Sequence, residues 1–169
     1  INNSNRLNID TNKIAIGGDS AGGCLAAAVT LYAGKNDIDL CAQMLVYPVL
    51  DYKMESSSMQ KYTDTPVWNS TLSRKMWELY LKDSKVDEYA SPALASEFKN
   101  IPKTYIETAE YDSLHDEGIE YANKLKSNGI DVELFNTVGT MHGFDMASKS
   151  KTVIESVGRR TDFLRRCFR

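Results

Sequence analysis

The amino-acid sequence predicts an α/β fold in which a mostly parallel sheet is flanked by helices. Short apolar runs alternate with longer helical patterns along the chain, as expected when helices connect neighbouring parallel strands. The hydrophobic fraction of 42% and the charged fraction of 25% are those of an ordinary globular chain. A chain of 169 residues is also long enough to bury a sizeable core.

Two strands and a helix are predicted in the first third of the chain. Residues 13–17 (KIAIG) form a short apolar run that is typical of a buried strand. Residues 20–34 are rich in alanine and other small or apolar side chains, which favours a helix packed closely against a sheet. Residues 42–49 (AQMLVYPV) predict the second strand, and Pro48 marks its end because proline cannot donate to a sheet ladder.

The last third of the chain repeats this alternation. Residues 104–109 (TYIETA) predict a third strand, and residues 114–127 predict a helix that stops at the Asn-Gly pair following it. Residues 131–138 then predict a fourth strand, and residues 152–168 predict the final helix. The pattern is that of strands connected by helical crossovers.

Residues 53–88 interrupt the alternation with a polar, serine-rich segment. It contains one clear helical pattern, near residues 72–81. An insertion of this length between regular elements is either a lid or a disordered loop. Its aromatic residues Trp68, Trp77 and Tyr80 favour a packed lid.

Composition and charge exclude several classes of function. The net charge of -3 gives no electrostatic footprint for nucleic acid. No apolar run approaches the ~20 residues that a membrane span needs, and the N-terminal residues lack the pattern of a signal peptide. The three cysteines form no CxxC pair and no metal-binding spacing with either histidine. We therefore expect a cytoplasmic protein with reduced thiols and with no metal or cofactor.

The strongest local motif is GDSAG at residues 18–22, which matches the pattern G-x-S-x-G. A predicted strand precedes it and an alanine-rich helix follows, which is the context of a nucleophile elbow. In such an elbow Ser20 is exposed on a sharp turn, and the backbone N–H of Ala21 is an oxyanion donor. Two other interpretations stay open on this segment alone: a glycine-rich turn that only packs helix against strand, and a phosphate-binding loop. No Gly-Lys-Ser/Thr follows, which argues against the phosphate loop.

A serine nucleophile needs a general base, and the chain has only two histidines. His142 follows the fourth predicted strand and so lies at the carboxyl edge of the sheet, the edge at which Ser20 also lies. The other histidine, His115, begins a predicted helix and is expected at the surface. Taken alone, a histidine in a loop is also compatible with a structural or solvated role.

The base in turn needs a carboxylate, and Asp112 follows the third predicted strand at the same edge. A second interpretation makes Asp112 a cap for the helix that follows. Asp116 and Glu117 lie in the first turn of that helix, where we expect them to interact with the helix dipole. Because Ser20, Asp112 and His142 each follow their own strand, the three residues together predict a catalytic triad.

Five segments of the chain together resemble the hormone-sensitive-lipase group of esterases and lipases, within the α/β-hydrolase superfamily. They are DTNKIAIGGDSAGG at 10–23, LVYP at 45–48, YASP at 89–92, EYDSLHDEG at 110–118 and MHGF at 141–144. The resemblance runs over almost the whole chain, and the order Ser20, Asp112, His142 is that of α/β-hydrolases. In the acid segment, Ser113 and His115 stand where the family usually has Pro and Arg.

The resemblance implies a serine carboxylic-ester hydrolase, of esterase or lipase type, that acts through an acyl-enzyme. Ser20 would be the nucleophile, His142 the base and Asp112 the residue that orients the base. Small carboxylic esters are the expected substrates, with Trp68 and Trp77 of the lid as substrate-binding residues. Two alternatives stay open: a non-catalytic small-molecule-binding protein on the same fold, and a peptidase of the same fold.

One departure from the family pattern concerns the chain upstream of the nucleophile. Members of the family carry a His-Gly-Gly-Gly segment that supplies further oxyanion N–H groups, and residues 1–169 contain none. We therefore expect residues 1–169 to be the C-terminal part of an α/β-hydrolase domain, with a lid-like insertion at 53–88 and weak activity alone. The strand at 13–17 then lies at an open sheet edge, which predicts self-association or pairing with an N-terminal part.

Overall fold

The structure, a computed structural model that describes all 169 residues, is built around one four-stranded sheet. Its strands are β1 (Ala15–Asp19), β2 (Ala42–Val46), β3 (Thr104–Tyr111) and β4 (Val132–Met141). They lie side by side in the order β1-β2-β3-β4, and every neighbouring pair is parallel. The parallel α/β fold predicted from the sequence is confirmed.

Six α-helices precede, connect or follow the strands. They are α1 (Ser4–Leu7), α2 (Ala21–Lys35), α3 (Ser57–Lys61), α4 (Ser70–Leu81), α5 (His115–Ser127) and α6 (Lys151–Cys167). Two single turns of 3₁₀ helix cover Pro92–Leu94 and Phe144–Met146. The helix α2 packs on β1 and β2, and α5 packs on β3 and β4. No helix of this fold combines the length and the apolar character that a membrane crossing requires.

The two faces of the sheet carry different helices. On one face, Leu45 of β2 and Ile106 of β3 pack with Ala27 of α2 and with α5. On the other face, Tyr105 of β3 packs with Phe163 of α6. Because successive strand residues point to opposite faces, the neighbours Tyr105 and Ile106 belong to different cores. Burial of each large apolar side chain in these cores contributes roughly 1.5–3 kcal/mol to stability.

In the structure, β1 and β4 end closer to Ser20 and His142 than the sequence predicts. The strand β1 runs on to Asp19, directly before Ser20, because Asp19 pairs with Val46 of β2. The strand β4 runs on to Met141, directly before His142, and pairs with the end of β3. Pairing with a neighbouring strand, rather than the apolar run itself, therefore sets these ends.

Residues 53–88 carry two helices, of which the sequence pattern predicts only α4. Asn69 caps α4 by accepting a hydrogen bond from Leu72 N–H at 3.1 Å. The helix α3 has five residues, too few to show a helical period, and Ser56 caps it by accepting from Met59 N–H at 3.3 Å. Trp77 of α4 is 4% exposed and packs among residues that follow β2 and β3. The role of this segment as a lid stays a prediction.

Candidate active site

Ser20 occupies the turn between β1 and α2 with a backbone φ of 53°. A positive φ is costly for a residue with a side chain and persists only where the surrounding structure holds it. Here Ser20 N–H donates to the carbonyl of Val46 at 2.9 Å, and the Ser20 carbonyl accepts from Gly23 N–H at 3.0 Å. A Cβ on residue Gly18 would overlap the carbonyl of Gly22, so the first glycine of the motif is a steric requirement. The turn has the strained geometry of a nucleophile elbow.

His142 connects Ser20 to Asp112. Its Nε2 lies 2.8 Å from Ser20 Oγ, and its Nδ1 lies 2.7 Å from Asp112 Oδ2. When Nδ1–H donates to the carboxylate, Nε2 keeps a lone pair that accepts the Ser20 hydroxyl proton. His142 is 5% exposed and Asp112 is fully buried, so solvent screens their interaction little. The structure brings together the three residues from which the sequence predicts a triad.

The sheet explains why these side chains meet. Ser20 follows β1, Asp112 follows β3 and His142 follows β4, and the carboxyl ends of parallel strands lie at one edge. The ladder between β3 and β4 shifts register between Ala109 and Tyr111, immediately before the acid. Such irregularities redirect a strand and are frequent next to functional sites.

Asp112 also stabilises its own turn. Its Oδ1 accepts a hydrogen bond from Leu114 N–H at 3.0 Å at the start of α5, while Oδ2 faces His142. Asp112 is not the N-cap of α5, because that position is Leu114 and has no side-chain cap. Its Oδ1 instead stabilises the turn that leads into the helix, while Oδ2 contacts the base.

Ala21 is the first residue of α2, so its N–H has no carbonyl acceptor within the helix. The N-terminus of a helix carries a partial positive charge, and here it begins directly after Ser20. A backbone donor at this position can stabilise negative charge that develops on a carbonyl oxygen bound at Ser20. The role of Ala21 as an oxyanion donor stays a prediction.

A small apolar cavity of about 90 Å³ opens beside Ala21. All of its lining residues are hydrophobic: Ala21, Cys24, Leu25, Val49, Met76, Trp77 and Tyr80. Trp77, predicted to contact substrate, therefore forms part of a wall next to the elbow. Trp68, predicted for the same role, lies against the base instead, with 5.9 Å between its ring centroid and that of His142.

A second, larger cavity of about 530 Å³ is lined by Thr65, Pro66, Tyr111 and residues of the 139–153 region. Neither Ser20 nor Ala21 lines it. The smaller cavity is therefore the better candidate for the group that a substrate places next to the nucleophile.

Cys24 lines the small cavity one helical turn after Ser20, and its thiol is not a competing nucleophile. Burial, followed by the neighbouring Glu117 carboxyl, raises the pKa of the Cys24 thiol to about 12. The thiol is therefore neutral near pH 7, and only a thiolate attacks efficiently.

Three polar residues that follow Asp112 have contacts or burial that the sequence does not predict. Glu117, expected to interact with the helix dipole, is 3% exposed, and burial raises the pKa of its carboxyl well above the usual range. His115, expected at the surface, has 19% of its side chain exposed, and its Nδ1 lies 2.7 Å from Asp116 Oδ1. Asp116 Oδ2 in turn accepts from Ser58 N–H at 2.7 Å. His115 is therefore partly buried rather than fully exposed, because α3, absent from the sequence pattern, packs on this part of α5.

Tyr47 contacts the base and Arg160 is linked to it through Asp145, although the sequence pattern assigns neither residue a role. Tyr47 directly follows β2, and its ring centroid lies 4.8 Å from that of His142. Arg160 of α6 binds Asp145, which accepts a hydrogen bond from the Tyr47 hydroxyl at 3.0 Å. The only sequence signal for Tyr47 is its place at the carboxyl end of a strand, and Arg160 carries no signal at all.

Comparisons with known proteins match the part of the chain that holds these residues. A family model described as α/β-hydrolase fold matches residues 1–146. An arylesterase of Saccharolobus solfataricus is 36% identical over 145 residues, which cover 84% of this chain and 47% of that relative. An ethyl acetate hydrolase of Pseudomonas putida is 31% identical over 142 residues, which cover 82% of this chain and 45% of that relative.

Among solved structures, a bacterial heroin esterase superposes with a TM-score of 0.94 at 36% identity. The superposition covers 99% of this chain and 56% of that chain. The chain thus spans about half the length of the relatives that it matches.

Proposed function

The chain belongs to the α/β-hydrolase fold family, in the group similar to hormone-sensitive lipase, and from this premise we propose that it carries the triad of a serine carboxylic-ester hydrolase. The observation that carries the proposal is the unbroken hydrogen-bond relay from Ser20 through His142 to Asp112, at 2.8 Å and 2.7 Å. This geometry supports acyl transfer, because the base lies between a serine on a strained turn and a buried carboxylate.

In the proposed reaction, Ser20 Oγ attacks the ester carbonyl carbon while His142 Nε2 takes the hydroxyl proton. The tetrahedral intermediate collapses when His142 returns this proton to the leaving alcohol, and an acyl group remains on Ser20. Water then attacks the acyl-enzyme by the same route and releases the carboxylic acid. Asp112 holds the imidazole in the required tautomer and stabilises the imidazolium that forms in both steps.

The developing oxyanion is stabilised in this proposal by the N–H of Ala21 at the start of α2. One such donor typically contributes about 10²–10³ to the rate of acyl transfer. Backbone donors are suited to this role because they are already oriented before the charge develops.

The proposed substrates are small carboxylic esters. The cavity beside Ala21 is lined by hydrophobic side chains alone and measures about 90 Å³, which favours a short apolar group next to the nucleophile. The names of the relatives, an arylesterase and an ethyl acetate hydrolase, support the same class. A small-molecule-binding protein that lacks catalysis does not need the relay, so the intact relay favours an enzyme over that alternative.

We also propose a cytoplasmic location for the protein. The support is chemical: Cys24, Cys41 and Cys167 are all free thiols, as is usual in a reducing compartment. Cell fractionation with an antibody against the chain tests this point.

Active-site labelling tests the proposed function. A fluorophosphonate probe should label the full-length protein on Ser20, and Ser20→Ala should lose both the label and hydrolysis of a short acyl ester. The matched control is Ser127→Ala, which removes an exposed hydroxyl at the end of α5 and should keep both. Labelling that persists in Ser20→Ala would refute the assignment, and cleavage of peptides in preference to esters would favour the peptidase alternative.

A further inference from the structure

The imidazole of His142 lies against two aromatic rings. The ring centroid of Tyr47 is 4.8 Å from that of His142, with 59° between the planes. The ring centroid of Trp68 is 5.9 Å away, with 36° between the planes. Tyr47 is 5% exposed, so its ring reaches the base from within the protein rather than from solvent.

The hydroxyl of Tyr47 is fixed by a carboxylate. It donates to Asp145 Oδ2 at 3.0 Å, and Asp145 lies in the 3₁₀ turn three residues after His142. Burial, followed by the nearby Asp145 charge, raises the pKa of the Tyr47 phenol. The phenol therefore keeps its proton at neutral pH and remains the donor in this bond.

Asp145 is itself held by the C-terminal helix. Arg160 of α6 donates from Nη1 to Asp145 Oδ2 at 2.8 Å and from Nη2 to Asp145 Oδ1 at 3.3 Å. The same guanidinium donates from Nε to Glu107 Oε2 at 2.6 Å. A planar guanidinium that binds two carboxylates fixes their relative orientation, which a lysine cannot do.

Glu107 anchors this chain of contacts in the sheet. It is fully buried on β3, and its carboxylate accepts from Thr137 Oγ1 at 2.6 Å, from Tyr105 OH at 3.0 Å and from Arg159 Nη2 at 3.1 Å. Burial alone would raise the pKa of Glu107, but the hydrogen bond from Thr137 and the charge of Arg160 lower it. Glu107 is therefore ionised at neutral pH, and its ion pairs with Arg159 and Arg160 hold its carboxylate in one orientation.

The backbone of Tyr47 is strained. Its φ is 33°, and its N–H donates to the carbonyl of Glu107 at 2.6 Å. A bulky residue keeps a positive φ only where its surroundings over-determine it. The backbone hydrogen bond to Glu107 and the burial of the side chain hold Tyr47 in this conformation.

From these contacts we infer that Tyr47 is a positioning residue for His142, whose ring supports the imidazole and stabilises its protonated form. The inference rests on the proposed function, because the imidazolium forms when His142 takes the Ser20 proton. A cation within ~6 Å of an aromatic centroid is attracted by the electron-rich face of the ring. The anchor through Asp145, Arg160 and Glu107 keeps the ring in place during the reaction.

The charged and titratable groups around this contact are few. Asp112 faces His142 directly, whereas Asp145, Asp19 and Arg160 act on Tyr47. Tyr47→Leu removes the ring but keeps the Asp112 carboxylate, and Tyr47→Phe keeps both. Comparison of the two variants therefore assigns an effect on the protonation of His142 to the ring.

Kinetics on the full-length enzyme test the role in turnover. Tyr47→Leu should lower kcat by about tenfold and leave KM nearly unchanged, because the ring acts on the imidazolium rather than on bound ester. Its acid limb of kcat/KM against pH should move to lower pH, since loss of the ring makes the imidazole easier to deprotonate. Tyr47→Phe keeps the ring, loses the anchor to Asp145, and should lie between wild type and Tyr47→Leu.

A matched control separates this role from general loss of packing. Tyr121 is 2% exposed in the core between the sheet and α5, away from the relay. Tyr121→Leu should lower thermal stability without moving the pH profile. If Tyr47→Leu and Tyr121→Leu have the same pH profile as wild type, the inference is wrong.

The pH profile of the full-length enzyme decides the inference. Equal pH profiles of kcat/KM for wild type, Tyr47→Leu and Tyr47→Phe overturn it. Absence of fluorophosphonate labelling in wild type would instead overturn the proposed function, so the two failures are distinguishable.

Discussion

Glu117 and Leu50 are joined by a hydrogen bond of 2.6 Å from the backbone N–H of Leu50 to Oε1 of the carboxyl group. The same oxygen accepts from Asp51 N–H at 3.3 Å, so Glu117 fastens α5 to the segment that follows β2. The second oxygen takes no part in these two bonds. Because burial raises the pKa of this carboxyl well above the usual range, folding favours its protonated form.

The first prediction concerns stability against pH. An acid whose pKa is raised by folding binds more protons in the folded state, so the protein loses stability as pH rises above the unfolded-state value of about 4.3. Glu117→Gln keeps an acceptor for Leu50 N–H and removes this loss. Between pH 5 and pH 8 we expect its free energy of unfolding to gain about 1–2 kcal/mol relative to wild type, measured by urea unfolding.

The control for this experiment is Glu155→Gln, which replaces an exposed glutamate of α6. It should show no gain over the same pH range. A difference between Glu117→Gln and wild type that stays constant from pH 5 to pH 8 would show that Glu117 does not titrate abnormally.

The second prediction concerns the acid of the relay. Asp112→Asn should lower kcat by about 10⁴-fold, as the equivalent change does in serine proteases, because the amide favours the wrong tautomer of His142. Asp116→Asn is the matched control and should lose far less activity, since its oxygens bind Ser58 N–H and His115 rather than the base. The rate of hydrolysis of a short acyl ester measures the activity of both variants. A greater loss of activity in Asp116→Asn than in Asp112→Asn would mean that the acid is misassigned.

The third prediction concerns chain-length preference. Trp77→Ala enlarges the cavity beside Ala21, so the ratio of kcat/KM for a six-carbon acyl ester to that for acetate should rise by about tenfold or more. Trp68→Ala should also change this profile, and it should lower kcat because the ring contacts His142. Leu79→Ala, on an exposed part of α4, is the control and should leave the ratio unchanged. If both tryptophan variants keep the acyl-length preference of wild type, residues 53–88 do not determine specificity.

The fourth prediction concerns the open edge of the sheet. The strand β1 pairs only with β2, and three side chains on one face of α2, Leu25, Val29 and Tyr32, are 47% to 56% exposed. An unpaired edge beside an apolar face tends to recruit another chain. Residues 1–169 alone should therefore self-associate in light scattering, and should hydrolyse a short acyl ester poorly until a separately supplied N-terminal part is added.

A lysine introduced on the apolar face of α2 tests this association. Val29→Lys should reduce the mass in solution, whereas Ile154→Lys, at an exposed position of α6, should not. A monomer of residues 1–169 with full esterase activity, indifferent to the N-terminal part, would contradict the prediction.

The sequence places Ser20, Asp112 and His142 at one edge of the sheet for a physical reason. Ser20, Asp112 and His142 each stand at the end of an apolar run, and parallel strands bring such ends to one edge whatever lies between them. Short-range patterns are therefore enough to place residues that are far apart in the chain. The observed ends of β1 and β4, directly before Ser20 and His142, follow from strand pairing that no local pattern records.

The residues that the sequence does not reveal depend on partners in distant elements. Arg160 reads as one of several cations on a C-terminal helix, yet it is half-buried and links Glu107 to Asp145. Glu117 reads as a first-turn acid, yet the chain that follows β2 covers it. A charged residue in an amphipathic helix looks the same in sequence whether its face meets water or a buried carboxylate, so only the packing distinguishes the two cases.

The strand order β1-β2-β3-β4 has a consequence for the protein during its synthesis. Because neighbours in the sheet are also neighbours along the chain, each strand that leaves the ribosome can add to the edge formed by the one before it. Ser20 is made 122 residues before His142. At translation speeds of about 5–20 residues per second, Ser20 is therefore synthesised roughly 6–24 s before His142. Until His142 has been made, Ser20 lacks the imidazole that contacts it in the folded structure, so the relay cannot form before β4 has been synthesised.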